Sequence, residues 1–102
     1  MSREFSQAVN MTSSEIRDWL KTSESKKVGF TYPGERESVG SQSARKIISI
    51  LDGEIEDEAH ERKVVGYVHR HLAQRPKGDV RYTRWRYSLM NWGHDPLERG
   101  CL

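Results

Sequence analysis

The apolar positions of the chain fall into five segments with helical spacing, separated by stretches rich in glycine, proline and charge. Phe5 to Val9 is the first, a short helix or arm. The second follows MTSSEIRDWLKTSES, where Thr12 and Glu15 make a capping-box pattern and Ile16, Trp19 and Leu20 fall at i, i+3 and i+4, so a helix is expected from Ser13 to Thr22. Lys26 to Gly40 shows no sustained period and holds Gly29, Pro33, Gly34 and Gly40, which predicts a long loop with an extended piece around Phe30 to Tyr32. A loop of that length in a small domain is more often functional than idle.

In the third segment Ala44, Ile47, Ile48 and Leu51 form a stripe that Ser41 or Ser43 can cap and Gly53 can end. The fourth runs from about Glu54 to Gln74, with Val64, Val65, Val68 and Leu72 as its core stripe, Ile55 and Ala59 extending it, and Pro76 and Gly78 as terminators. Acidic residues at its start and His69, Arg70, His71 and Arg75 at its end suit the helix dipole. Asp79 is the expected cap of the last helix, Val80 to Trp92, with Gly93 at its C-terminal end and Pro96 beyond. The expected fold is therefore all-α, a single-domain bundle of about five helices spanning residues 1–102, with one long loop between the second and third helices and short flexible ends at about 1–4 and 97–102.

On a wheel of about 100° per residue, Tyr82, Trp85, Leu89 and Trp92 share one face of the last helix, the expected core seam. Arg81, Arg84, Ser88 and Asn91 share a polar, donor-rich face, and Tyr87 and Met90 form a second, smaller apolar patch. Arg75 and Lys77 in the preceding loop would extend Arg81 and Arg84 into a phosphate-binding ridge, with Asn91 able to hydrogen-bond a base edge. Stacking of bases on Trp85 or Trp92 is not expected, because a residue that fills the core has no face to offer.

Charge sharpens this picture. The formal net charge is only +2. Residues 1–61 carry 8 Lys and Arg against 12 Asp and Glu, a charge of −4, and residues 62–102 carry 9 against 3, a charge of +6. An acidic run from Asp52 to Glu61 is followed at once by the basic stretch from Arg62 to Arg86. Such polarity marks an anion-binding surface, or two parts that attract each other within one chain or between two copies. A second basic set, Lys26, Lys27, Arg45 and Lys46, flanks the long loop and the start of the next helix, where phosphate contacts are commonly made.

Catalytic and metal motifs are weak. His69 and His71 project about 200° apart on a helix and do not chelate one metal ion. His94 and Asp95 fit a helix stop and turn better than an acid/base pair, and Cys101, the single cysteine, sits too near the terminus to be held as a nucleophile. No phosphate loop, nucleophile elbow or signal-peptide or membrane-length apolar run is present. The expectation is a non-enzymatic protein without cofactor, metal or small-molecule substrate, cytoplasmic, or nuclear if the source is eukaryotic.

The blocks RKVVGYVHRHLAQRP (Arg62 to Pro76) and DVRYTRWRYSLMNWGHDPL (Asp79 to Leu97), with MTSSEIRDWLKTSESKKVG and ESVGSQSARKIISIL upstream, resemble the signature blocks of an uncharacterised family of short bacterial and fungal proteins. The likeness runs from about Val9 to Leu97. Members of that family are described as of unknown function or as candidate DNA-binding proteins, so the resemblance implies a stand-alone domain and DNA as partner, and it supplies no catalytic residues. The leading expectation is DNA binding through a basic helical face. The alternative is a protein interaction module or homodimer built on Tyr87 and Met90.

Overall fold

The computed structural model describes residues 1–98, so Cys101 and most of the expected C-terminal end lie outside the described residues. Among the described residues there are six α-helices and no strand: α1 (Arg3–Ala8), α2 (Ser13–Leu20), α3 (Ser23–Lys27), α4 (Val39–Leu51), α5 (Glu58–Leu72) and α6 (Arg84–Asn91). The all-α expectation holds, with one helix more than the apolar pattern predicts. None of these helices is long and apolar enough to cross a membrane.

Local capping decides most boundaries, since a helix start leaves N–H groups that only a well-placed side chain or water can satisfy. Ser2 caps α1 and its own N–H donates to Glu61 Oε1 at 2.7 Å, so helix begins inside the stretch expected to be a flexible end. The capping box of Thr12 and Glu15 starts α2 as expected. The chain then leaves the helix at Lys21, and Thr22 caps α3, accepting from Ser25 N. The predicted helix to Thr22 is thus two shorter helices joined at a bend, and Lys26 and Lys27 are the last turn of α3 rather than loop.

Ser38, not Ser41 or Ser43, caps α4. The earlier start brings Gly40 into the helix where it passes α6. A Cβ there would sit 3.2 Å from Asn91 Cβ, and glycine allows the approach. Asp57 caps α5, accepting from His60 N, so the helix begins at Glu58 rather than near Glu54. The last helix differs most. Thr83 accepts from Arg86 N and starts α6 at Arg84. Asp79 is occupied with Arg81, and Val80, 1% exposed, plugs the core ahead of the helix. Tyr82 therefore lies off the helix and 81% exposed, not in the seam assigned to it; Trp85, Leu89 and Trp92 do form that seam.

One buried apolar cluster joins the elements, with Phe5, Ile16, Ile47, Val64, Val68 and Leu89 fully enclosed. Helix α1 packs on α5, α2 on α4, and α6 touches α2, α3, α4 and α5, which makes it the central element. After α6 the chain turns at Gly93, φ +80°, and doubles back against the segment between α1 and α2. There Asn10 and Asp95 exchange hydrogen bonds, 2.9 Å from Asn10 Nδ2 to Asp95 O and 2.7 Å from Asp95 N to Asn10 Oδ1.

Candidate functional site

The arginine face proposed for the last helix does not come together. Asn91 is 1% exposed and committed to the interior: Oδ1 accepts from Trp19 Nε1 and from Ser25 Oγ, each at 2.6 Å, and Nδ2 donates to the Ser25 carbonyl at 3.2 Å. Helices α2 and α3 cover the side of α6 that a wheel alone leaves open, and Asn91 spends both ends of its amide on them. Arg81 wraps around Asp79 through Nε and Nη2 at 2.6 to 3.1 Å, and these bonds hold the Asp79 carboxyl down at about 2. Arg75 lies over the ring of Trp85, 5.4 Å from its centroid. Lys77 and Arg84 are exposed and carry no ion pair among the described residues, but they do not line the clefts between α2, α3 and α4. Arg86 is drawn inward to Asp95, Nε to Oδ1 at 3.1 Å and Nη2 to Oδ2 at 3.0 Å.

The second apolar patch is not open either. Tyr87 is half-buried with its ring 5.4 Å from that of Trp19, and Met90 packs partly buried against the core. Nor do the acidic and basic runs pair with each other. Asp52 bonds Arg17 and Asp57 bonds Lys46 at 3.4 Å, both cations of the first half. Hydrogen bonds from Ser13 and Arg17 keep the Asp52 carboxyl below its ordinary range, and the His60 backbone N–H does the same for Asp57.

His94 and Asp95 are enclosed rather than placed on a cleft. His94 Nδ1 lies 2.7 Å from the Ala8 carbonyl, which can only accept, so Nδ1 carries the proton. Burial pushes the His94 ring below its ordinary value, which keeps it neutral near pH 7. Burial, the largest single effect, would raise the Asp95 carboxyl, but the Arg86 bonds, the Leu97 backbone N–H and the Arg86 charge together hold it below its ordinary value. Their chemistry in this structure is to hold the segment just after α6 against residues 8–10. No group of three or more His, Cys, Asp or Glu among the described residues is arranged to hold a metal ion.

What does come together is the other basic set, in part. Lys26 from α3 and Arg45 from α4 line one cleft with Arg17 and Lys21 of α2, about 560 Å³ in volume and floored by Leu20 and Ile48. A second cleft of about 250 Å³ shares Leu20, Lys26 and Arg45 and adds Arg36, Thr31, Ser38, Ser41 and Glu37. Five cations line the two clefts against the single acid Glu37. Glu37 pairs with Arg45 at 2.7 Å, Asp52 with Arg17, and Asp18 with Lys21 at 3.8 Å, whereas Lys26 and Arg36 have no ion pair among the described residues. Ser38 and Ser41 belong to the first turn of α4, which holds no acidic residue, so the positive end of that helix adds to the field. Lys27 and Lys46 do not line the clefts.

Arg17, Lys21 and Arg36 were not singled out from the sequence. Arg17 and Lys21 at i and i+4 were visible as a basic edge of α2, but only the packing of α2 on α4 sets that edge opposite Arg45.

Fold and site together define a small all-helical protein with a cation-lined groove between α2, α3 and α4. The chain belongs to the family "Protein of unknown function (DUF3140)", whose model matches residues 4–90 and so spans α2 to α5 and most of α1 and α6. Comparison with curated proteins and with solved structures finds no match.

Proposed function

We propose that the protein is a non-enzymatic DNA-binding protein that seats the phosphate backbone in the joined clefts between α2, α3 and α4. One observation carries this reading: five cations line those clefts against one acid, and two of the five, Lys26 and Arg36, have no ion pair among the described residues to break before meeting a phosphate. Thr31 and Ser41 add hydroxyl donors, and α4 adds its positive end. Because the net charge is only +2, affinity rests on this local field and falls steeply with salt. The reading carries with it a cytoplasmic location, or a nuclear one in a eukaryotic source.

The test is fluorescence anisotropy with a labelled oligonucleotide over a salt series. Changing Lys26 and Arg36 together to Ala weakens binding and flattens the slope of log K against log salt by about 1.8 on a duplex, the share of two phosphates. Changing Arg81 and Arg84 to Ala leaves the slope close to that of the unaltered protein. Absence of binding at low salt refutes the proposal.

A further inference from the structure

The loop that closes the cation clefts has a second side. Gly29, Phe30 and Tyr32 line a separate pocket of about 280 Å³ with Gly40 of α4, Tyr67 of α5 and Trp92. Thr31, between the two aromatic residues, lines the cation cleft instead. This is the alternation of an extended chain, with successive side chains on opposite sides. Phe30 and Tyr32 thus face one site while their neighbour faces the other.

The pocket is built to receive a flat ring. The Tyr67 and Trp92 rings stack at 4.2 Å and 12°, and Phe30 meets Tyr32 edge to face at 4.8 Å and 89°. Phe30 and Tyr32 are 61% and 54% exposed, although large aromatics are normally enclosed. They are also held in place. The Phe30 carbonyl accepts from Val39 N at 2.8 Å and the Tyr32 carbonyl from Glu35 N at 3.0 Å, so the loop needs little further ordering on binding. Trp92 is 5% exposed, and its Nε1–H, which makes no hydrogen bond among the described residues, is open to the pocket beside Gly40 rather than sealed in the core. That donor suits an acceptor nitrogen or oxygen of a base. The volume is just below the ~300 Å³ at which sites for drug-sized ligands begin, the scale of one planar ring system.

We propose that an unpaired nucleobase enters this pocket while the phosphates beside it lie in the cation clefts, so that the protein prefers single strands to duplex. The inference rests on the DNA-binding reading for the phosphates and on the aromatic pocket for the base. Few other polar groups line the pocket, so recognition is by stacking and tolerant of sequence.

Two measurements separate the parts. In anisotropy titrations with a single-stranded oligonucleotide and its duplex, changing Phe30 and Tyr32 together to Ala weakens single-strand binding about tenfold or more and leaves duplex binding unchanged, while Lys26→Ala with Arg36→Ala weakens both. Both aromatic side chains are exposed, so thermal melting of the variant matches that of the unaltered protein. In ¹H–¹⁵N spectra, adenosine, which has no phosphate, moves the Trp92 indole signal and leaves those of Trp19 and Trp85, whose Nε1–H groups are bonded to Asn91 and to the His71 carbonyl. Equal single-strand affinity in the aromatic variant, or an unmoved Trp92 signal, overturns the pocket while salt-sensitive duplex binding survives. A Trp92 shift with no oligonucleotide binding supports the pocket and refutes the cation-cleft reading.

Discussion

Replacing Asn91 with Ala distinguishes the role its sequence position suggests from the one its surroundings give it. The substitution leaves Trp19 Nε1–H, the Ser25 hydroxyl and the Ser25 carbonyl without the partner each now has. Ser25 is fully buried, so its two groups have no water to turn to, and each costs about 1–3 kcal/mol when left unsatisfied. Trp19 is only half-buried, so it adds less. The expected loss is about 3–5 kcal/mol, a large share of the ~5–15 kcal/mol that stabilises a domain of this size. Chemical unfolding followed by circular dichroism reads it directly. Ser25→Ala removes only one of the three bonds, so Asn91→Ala costs about 1 kcal/mol less in that background than alone. A stability within about 0.5 kcal/mol of the unaltered protein, together with weakened DNA binding, would refute this reasoning and return Asn91 to the surface role.

Gly93→Ala combines an unfavourable φ of +80° with a Cβ 3.0 Å from Val9 Cγ1, so it costs about 2–3 kcal/mol, whereas Gly53→Ala, at φ +75° in open space, costs about 1 kcal/mol; equal unfolding midpoints for the two variants would contradict this. Burial holds His60, His71 and His94 below their ordinary value of 6.5, so the unfolded chain takes up protons that the folded one resists. Their contribution is fully present above about pH 6.5 and is lost as pH falls below it, at up to about 1.4 kcal/mol per pH unit for each histidine titrating, and a urea midpoint unchanged between pH 7.5 and 5.5 would count against it.

The parts of the fold legible in the sequence are those fixed by near neighbours. Thr12 and Glu15 start α2 because both partners of the capping box lie within four residues. The start of α6 was ambiguous because Asp79 and Thr83 are both competent caps. What decides between them is that Asp79 is taken by Arg81 and that Val80 is drawn into the core by distant residues. A helical wheel gave the angle of Asn91 correctly but not what would stand opposite it, and α3, hidden by its five-residue length, is what stands there. The charge asymmetry misdirected in the same way. The half with charge +6 spends Arg81 on Asp79, Arg86 on Asp95 and Arg75 on the face of Trp85. The half with charge −4 supplies all five cations of the clefts, since its acids lie mostly elsewhere and α2 packs on α4 so that Arg17 and Lys21 meet Arg45. Segment charge is additive along the chain, but a phosphate responds to the field at one place, which depends on which charges the packing brings together and which it leaves unpaired. Lys26 and Arg36 meet both conditions, which is why the reading of this surface turns on them rather than on the richer stretch from Arg62 to Arg86.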